Sequence, residues 1–205
     1  MDSYEFTPAE VRVLGVLLEK QALTPDAYPM TLNGILNACN QLTSREPVMQ
    51  LDEADVAAAL DSLAARRLLA VRQPAGSRVT KYEHRLPYEW NIDGARSAAL
   101  ALLMLRGAQT AAEIRARSGR LYSFSGSAEV ETALGQLSEK YPPMVVLMDK
   151  QPGAREARWA HLLCGEPEAA AVPATAETGL AARVAALEAE VETLKARIAE
   201  LEAGA

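Results

Sequence analysis

His84 and His161 are the only two histidines in the chain, and they hold matching places in two similar stretches. Arg78, Thr80, Tyr82, His84 and Leu86 alternate along one stretch, and Arg155, Ala157, Trp159, His161 and Leu163 along the other. In extended backbone, alternate side chains share a face. A histidine in such a place could act as a general base or a metal ligand, but either role needs a partner at suitable spacing. None is visible. There is no Gly-rich phosphate loop, no HExxH and no Gly-x-Ser-x-Gly. Cys39 and Cys164 have no CxxC neighbour, and read as reduced thiols of a cytoplasmic protein rather than a disulfide or a metal pair. Each histidine, beside an aromatic residue and a leucine, is expected to be structural at a hairpin base. We expect no catalytic residue, no metal and no cofactor, and so no enzyme.

The remaining chemistry is positive charge that could meet phosphate or an acidic partner. Arg66, Arg67, Arg72, Arg78, Lys81 and Arg85 gather around the first stretch, Arg155 and Arg158 around the second, and Arg115, Arg117 and Arg120 between them. Arg45 lies in a polar segment, Asn40-Gln41 to Arg45-Glu46, that admits two roles: a recognition loop, or a structural tie to the hairpin. The contact candidates are therefore Arg45, Arg72, Arg78, Lys81, Arg85, Arg155 and Arg158. Overall charge argues against a strong generic nucleic-acid binder, since the 205 residues carry 21 Lys and Arg against 27 Asp and Glu. The charge is uneven: close to neutral up to residue 165, acidic beyond.

Positioning these groups falls to a repeat. Asp55–Leu86 and Glu129–Leu163 align, with Val56, Ala59, Leu60 and Leu63 matching Val130, Ala133, Leu134 and Leu137, and Gln73-Pro74 matching Gln151-Pro152. Each copy reads as an amphipathic helix followed by a two-stranded hairpin. Upstream, Thr7-Pro8-Ala9-Glu10 is a capping box opening a helix to about Gln21, 24–30 is a loop, and Leu32, Ile35, Leu36 and Cys39 mark a second helix. Asp52 caps the third helix. In the second copy, 95–105 is a helix apolar on most sides, Thr110 to Glu113 is another capping box, and Ser127 caps the third helix. The fold class expected is mainly α with small β-hairpins (α+β): tandem winged-helix domains over 1–90 and 91–165, a flexible linker over 166–179, and a coiled-coil helix over 180–203. The outward positions of the third helices are Asp55, Ala57, Ala58, Asp61, Ser62 and Ala65 in the first copy and Glu129, Glu131, Thr132, Gly135, Gln136 and Glu139 in the second. They are mostly acidic or small, whereas base edges are read mostly by Arg, Lys, Asn and Gln.

The last segment has a clear period. Val184, Val191 and Ile198 take heptad position a, and Leu180, Leu187, Leu194 and Leu201 position d, a choice that favours a parallel two-stranded coil. Arg183, Glu190 and Arg197 at g face Glu188, Lys195 and Glu202 at e with opposite sign. These residues predict a homodimer. No stretch approaches the ~18 apolar residues of a membrane span, and no secretory signal is visible.

Several motifs are longer and more specific: Ala38-Cys39-Asn40-Gln41, Ser44-Arg45-Glu46-Pro47-Val48-Met49, Arg78-Val79-Thr80-Lys81-Tyr82-Glu83 and Leu105-Arg106-Gly107-Ala108-Gln109-Thr110. With Thr24-Pro25, Tyr28-Pro29, Tyr122 and Phe124-Ser125, they resemble the YceH-like family of uncharacterised bacterial proteins over about residues 5–163. The resemblance implies a tandem winged-helix fold and brings no activity, cofactor or catalytic residue. The function expected is that of a dimeric DNA-binding transcriptional regulator, favoured by the common use of the fold. The alternative, favoured by the acidic third helices and negative charge, is a protein-interaction adaptor that uses winged helices and coil as docking surfaces without DNA.

Overall fold

A computed structural model of the chain describes residues 4–73, 76 and 79–167. Arg78, residues 168–179 of the linker and the heptads of 180–203 lie outside the described residues. The fold is α+β, helical with small antiparallel sheets.

Helix α1 (Pro8–Leu23) begins where the capping box predicts: Glu10 N–H donates to Thr7 Oγ1 (3.2 Å) and Thr7 N–H to the Glu10 carboxylate (2.6 Å). Sequence periodicity gives it one apolar face. In the fold every residue from Glu10 to Glu19 is buried, because α1 is covered on opposite sides. Gly15 permits the closest of these contacts. A Cβ there would lie 3.0 Å from Leu105 Cγ and 3.1 Å from Met104 Cβ, so α1 and α5 (Gly94–Arg106) approach almost backbone to side chain.

The loop expected over 24–30 contains more order than its prolines suggest. A 3₁₀ turn covers Pro25–Ala27, and a short strand β1 (Met30–Thr31) follows. The strand exists because a partner lies beside it: Met30 pairs with Tyr82 and Thr31 with Lys81. Helices α2 (Leu32–Cys39) and α3 (Glu53–Ala65) come next, the latter opened by an Asp52–Asp55 capping box. Strands β2 (Leu69–Arg72) and β3 (Lys81–His84) complete a sheet of order β1-β3-β2. A helical turn α4 (Leu86–Glu89), which no pattern announced, leads on towards α5.

The order then recurs. Helices α6 (Ala111–Ser118) and α7 (Ser127–Ser138) precede strands β4 (Val145–Leu147) and β5 (Trp159–His161). Gln109 exchanges backbone hydrogen bonds with Trp159 (2.9 and 2.8 Å), in the place where Met30 pairs with Tyr82 in the first copy. One expectation fails at α7. Ser127 is not its cap; Gly126 is, and it makes no side-chain cap bond. Glu129 instead reaches back over the start of the helix, accepting from Ser125 N–H (2.7 Å), Ser125 Oγ (2.8 Å) and Tyr122 OH (2.8 Å). Both copies contribute to one apolar core, from Leu14, Leu17, Ile35 and Leu60 to Leu100, Leu103, Ile114 and Leu134, and the chain up to Pro167 forms one compact unit.

Candidate interaction surfaces

Arg45 is the candidate whose position changes most. It lies between α2 and α3 with its side chain fully buried. Nε donates to Ala38 O (3.0 Å), one terminal nitrogen to Glu19 Oε1 (3.1 Å) and Ser44 O (2.9 Å), and the other to Glu19 Oε2 (2.7 Å) and Gln41 Oε1 (2.8 Å). A guanidinium has five N–H donors, and here each has an acceptor. Arg45 is therefore not available to phosphate, which corrects its place among the contact candidates. Burial alone would raise the Glu19 carboxyl; the hydrogen bond and charge of Arg45, with Lys20, outweigh that and hold it below its usual range.

The same segment is tied by two further arginines. Buried Arg12 of α1 donates to Cys39 O (3.1 Å) and Pro47 O (2.6 Å), and Arg106 of α5 to Ser44 Oγ (2.6 Å). Glu46 N–H donates to Leu105 O (2.8 Å). The segment is thus tied to α1 and α5, not to the hairpin. Sequence reading missed Arg12 and Glu19 as partners, although a signal was present: two charges seven residues apart, on one side of an otherwise apolar helix.

Arg158 is similarly engaged. It donates to Ala108 O (2.8 Å) and to both carboxylate oxygens of Glu113 (2.9 and 3.1 Å). Glu113 also accepts from Thr110 N–H (2.9 Å). Burial would raise its carboxyl, but the Thr110 bond and Arg158 lower it. Arg158 joins β5 to the start of α6, and its charge is met by Glu113 although the side chain is partly exposed. Arg72 projects into solvent yet is held by Glu83 across the first hairpin (2.7 and 2.9 Å). Arg85 meets Glu89 loosely at 3.5 Å. Partly buried Lys81 and exposed Arg155 have no ion-pair partner among the described residues.

Opposite charge dominates α3, where Asp52, Glu53, Asp55 and Asp61 are exposed. On α7, Glu131 is engaged by Trp159 Nε1–H (2.9 Å). Two apolar residues break this polar surface at equivalent places. Val71 is the third residue of β2 and Leu147 the third of β4; both are about half exposed, and each strand is the edge of its sheet.

Both histidines are largely withdrawn from water. His84 N–H donates to Tyr28 OH (2.6 Å) and its ring Nε2 meets Gln21 Oε1 (2.7 Å). Burial pushes His84 and His161 down to about 4, so both rings are neutral at pH 7. Among the described residues no group of three or more His, Cys, Asp or Glu could hold a metal ion, and no helix is long and apolar enough to cross a membrane.

Residues 6–154 match a family described as "Protein of unknown function, DUF480". The chain belongs to this family. Among its relatives, a UPF0502 protein of Chromobacterium violaceum is 67% identical over 98% of this chain and 93% of its own length. A UPF0502 protein of Azoarcus sp. is 51% identical over 98% and 91%. The UPF0502 protein YceH of Salmonella paratyphi B is 44% identical over 97% and 96%. The resemblance carried by the Ala38–Met49 and Leu105–Thr110 motifs is thus borne out. In this DUF480 chain those two motifs meet in space, through Arg106 on Ser44 and Glu46 on Leu105.

Proposed function

We propose that this DUF480 protein is a non-enzymatic, cytoplasmic adaptor: two winged-helix units that dock other proteins, held as a dimer by the coil of 180–203. The repeated order of helix, short strand, two helices and hairpin supports the winged-helix reading. The observation that carries the choice of adaptor is the engagement of the cations. Arg45 spends all its donors inside the protein and Arg158 is held by Glu113, and the third helix of the first unit presents carboxylates where a major-groove reader needs Arg, Lys, Asn or Gln. Docking would use the edge strands β2 and β4, whose outer backbone groups can pair with an added strand while Val71 and Leu147 give it an apolar contact.

DNA binding is the second reading, favoured by exposed Arg155 and partly buried Lys81 at the hairpins. One experiment separates the two. The purified protein is mixed with fragmented DNA of its own organism at low and near-physiological salt, and the retained DNA is sequenced. The adaptor predicts no retention, or weak retention that vanishes as salt rises. Enrichment of a few loci that survives physiological salt makes the protein a sequence-specific regulator; in that case Lys81→Ala and Arg155→Ala should each lower the salt slope by about 1.

A further inference from the structure

The connection between α2 and α3, residues 41–50, is fastened along its inner side. Asn40 joins its two ends: the side chain donates to Leu51 O (2.8 Å) and accepts from Leu51 N–H (2.9 Å). Arg45 turns inward at the middle, Arg12 donates to Pro47 O, Arg106 to Ser44 Oγ, and Glu46 N–H to Leu105 O. Compact surface loops whose ends meet are frequently functional. The fastening has a cost. Arg12 is buried and meets two backbone carbonyls but no carboxylate among the described residues, and its Nε has no partner; a buried charge in that state is unfavourable. What the fastening fixes is the outer side. Leu42 is 82% exposed and Val48 48%, and Glu46 and Pro47, between them in the chain, are exposed as well. Core packing does not account for Leu42, whereas a loop already ordered loses less freedom when a partner covers it.

We propose that this loop is a preformed docking site for a basic segment of another protein, whose apolar side chain covers Leu42 and Val48 and whose Lys or Arg meets the carboxylates around them. Charge sets the partner. Because Asn40 holds Leu51 at the start of the loop, Asp52 and Glu53 follow directly beside it, and both are exposed, as are Glu46 and Asp55. Glu46 and Glu53 have no ion pair among the described residues. The cations that touch the loop do not balance this charge at the surface. Arg12 and Arg45 are buried, and Arg106, partly buried, is engaged by Ser44 with Glu46 near it. The same carboxylates repel phosphate, so the occupant is a polypeptide and not a nucleic acid. This inference rests on the adaptor reading, deepens it by naming the partner's chemistry, and uses a surface other than the edge strands.

The probe is a phage-displayed library of random peptides of about 12 residues, a length that covers the usual peptide-recognition modes. It is selected on the full chain, and the enriched sequences are titrated as synthetic peptides by fluorescence anisotropy. The expected peptides carry net positive charge and an aromatic or branched apolar residue. Their affinity should fall at least about 10-fold in Leu42→Ser and in Glu46→Lys, and stay unchanged in Val71→Ser on the edge of β2. All three substitutions are at exposed or half-exposed side chains and should leave the helical circular dichroism unchanged. No enriched peptide, neutral or acidic peptides, or full binding by Leu42→Ser would each overturn the proposal. Peptides lost in Val71→Ser and kept in Leu42→Ser would overturn it while leaving the adaptor reading in place, whereas DNA retained at physiological salt removes that reading itself. A dimer that dissociates in Leu42→Ser would give the loop to a second copy of this chain, and overturn the proposal in that way.

Discussion

The charged residues that matter most to this protein are inside it. Arg45 and Glu19 form a buried pair in which every guanidinium donor is used. Removing one partner of such a pair leaves a buried charge unmet, at a cost of about 3–5 kcal/mol. Arg45→Ala should therefore lose most of that range in urea denaturation, while Arg155→Ala on the exposed hairpin stays within about 0.5 kcal/mol. Similar losses in both variants would contradict the buried pair. The histidines make a second prediction. Both titrate near 4 in the folded chain against an ordinary 6.5, so between these values the unfolded chain binds more protons. Their contribution is present in full above pH 6.5 and is lost as pH falls towards 4. Glu19 and Glu113, held low by arginines, add an acid loss of the same sign below the carboxylate range. The urea midpoint should fall steadily between pH 6.5 and 4, and His161→Phe should flatten that slope; curves that run parallel for the two proteins would remove His161 from the explanation.

At the scale of the element, two glycines on helices have opposite roles. Gly15 faces Leu105 and Met104 so closely that Gly15→Val must push α1 from α5, a loss of about 1–3 kcal/mol. Gly135 in α7 has only open space where a side-chain methyl would sit, with nothing within 4 Å, so Gly135→Ala should gain about 0.5–1 kcal/mol from helix propensity alone. Thermal or urea unfolding distinguishes the signs, and a neutral Gly15→Val would mean that the two helices are not in close contact. Most helices were legible because their signals are local: the Thr7 and Thr110 capping boxes and the Asp52 cap lie where the sequence places them. What stayed illegible depends on distant partners. Strand β1 exists only because Tyr82 and Lys81 lie beside it, and the fixing of Arg45 needs Glu19, 26 residues away. Ser127 was misread because Gly126 precedes the helix without a side-chain cap and Glu129 reaches back along the surface to Tyr122 and Ser125.

At the scale of the whole molecule, the repeat was readable from matching residues, whereas the sharing of one core by its copies was not, since periodicity shows that a face is apolar and not what covers it. Self-association is proposed from the heptads alone. Leu187→Asp with Leu194→Asp should turn the protein monomeric by light scattering; a surviving dimer would put the interface elsewhere. One backbone bond has a consequence for engineering. Phe6 N–H donates to Leu163 O at 2.9 Å, so the chain enters and leaves its folded unit side by side. Chains with adjacent ends tolerate circular permutation. A few residues joining 167 to 4, with new ends cut at Gly76 in the first hairpin, should give a rearranged polypeptide that folds to the same core.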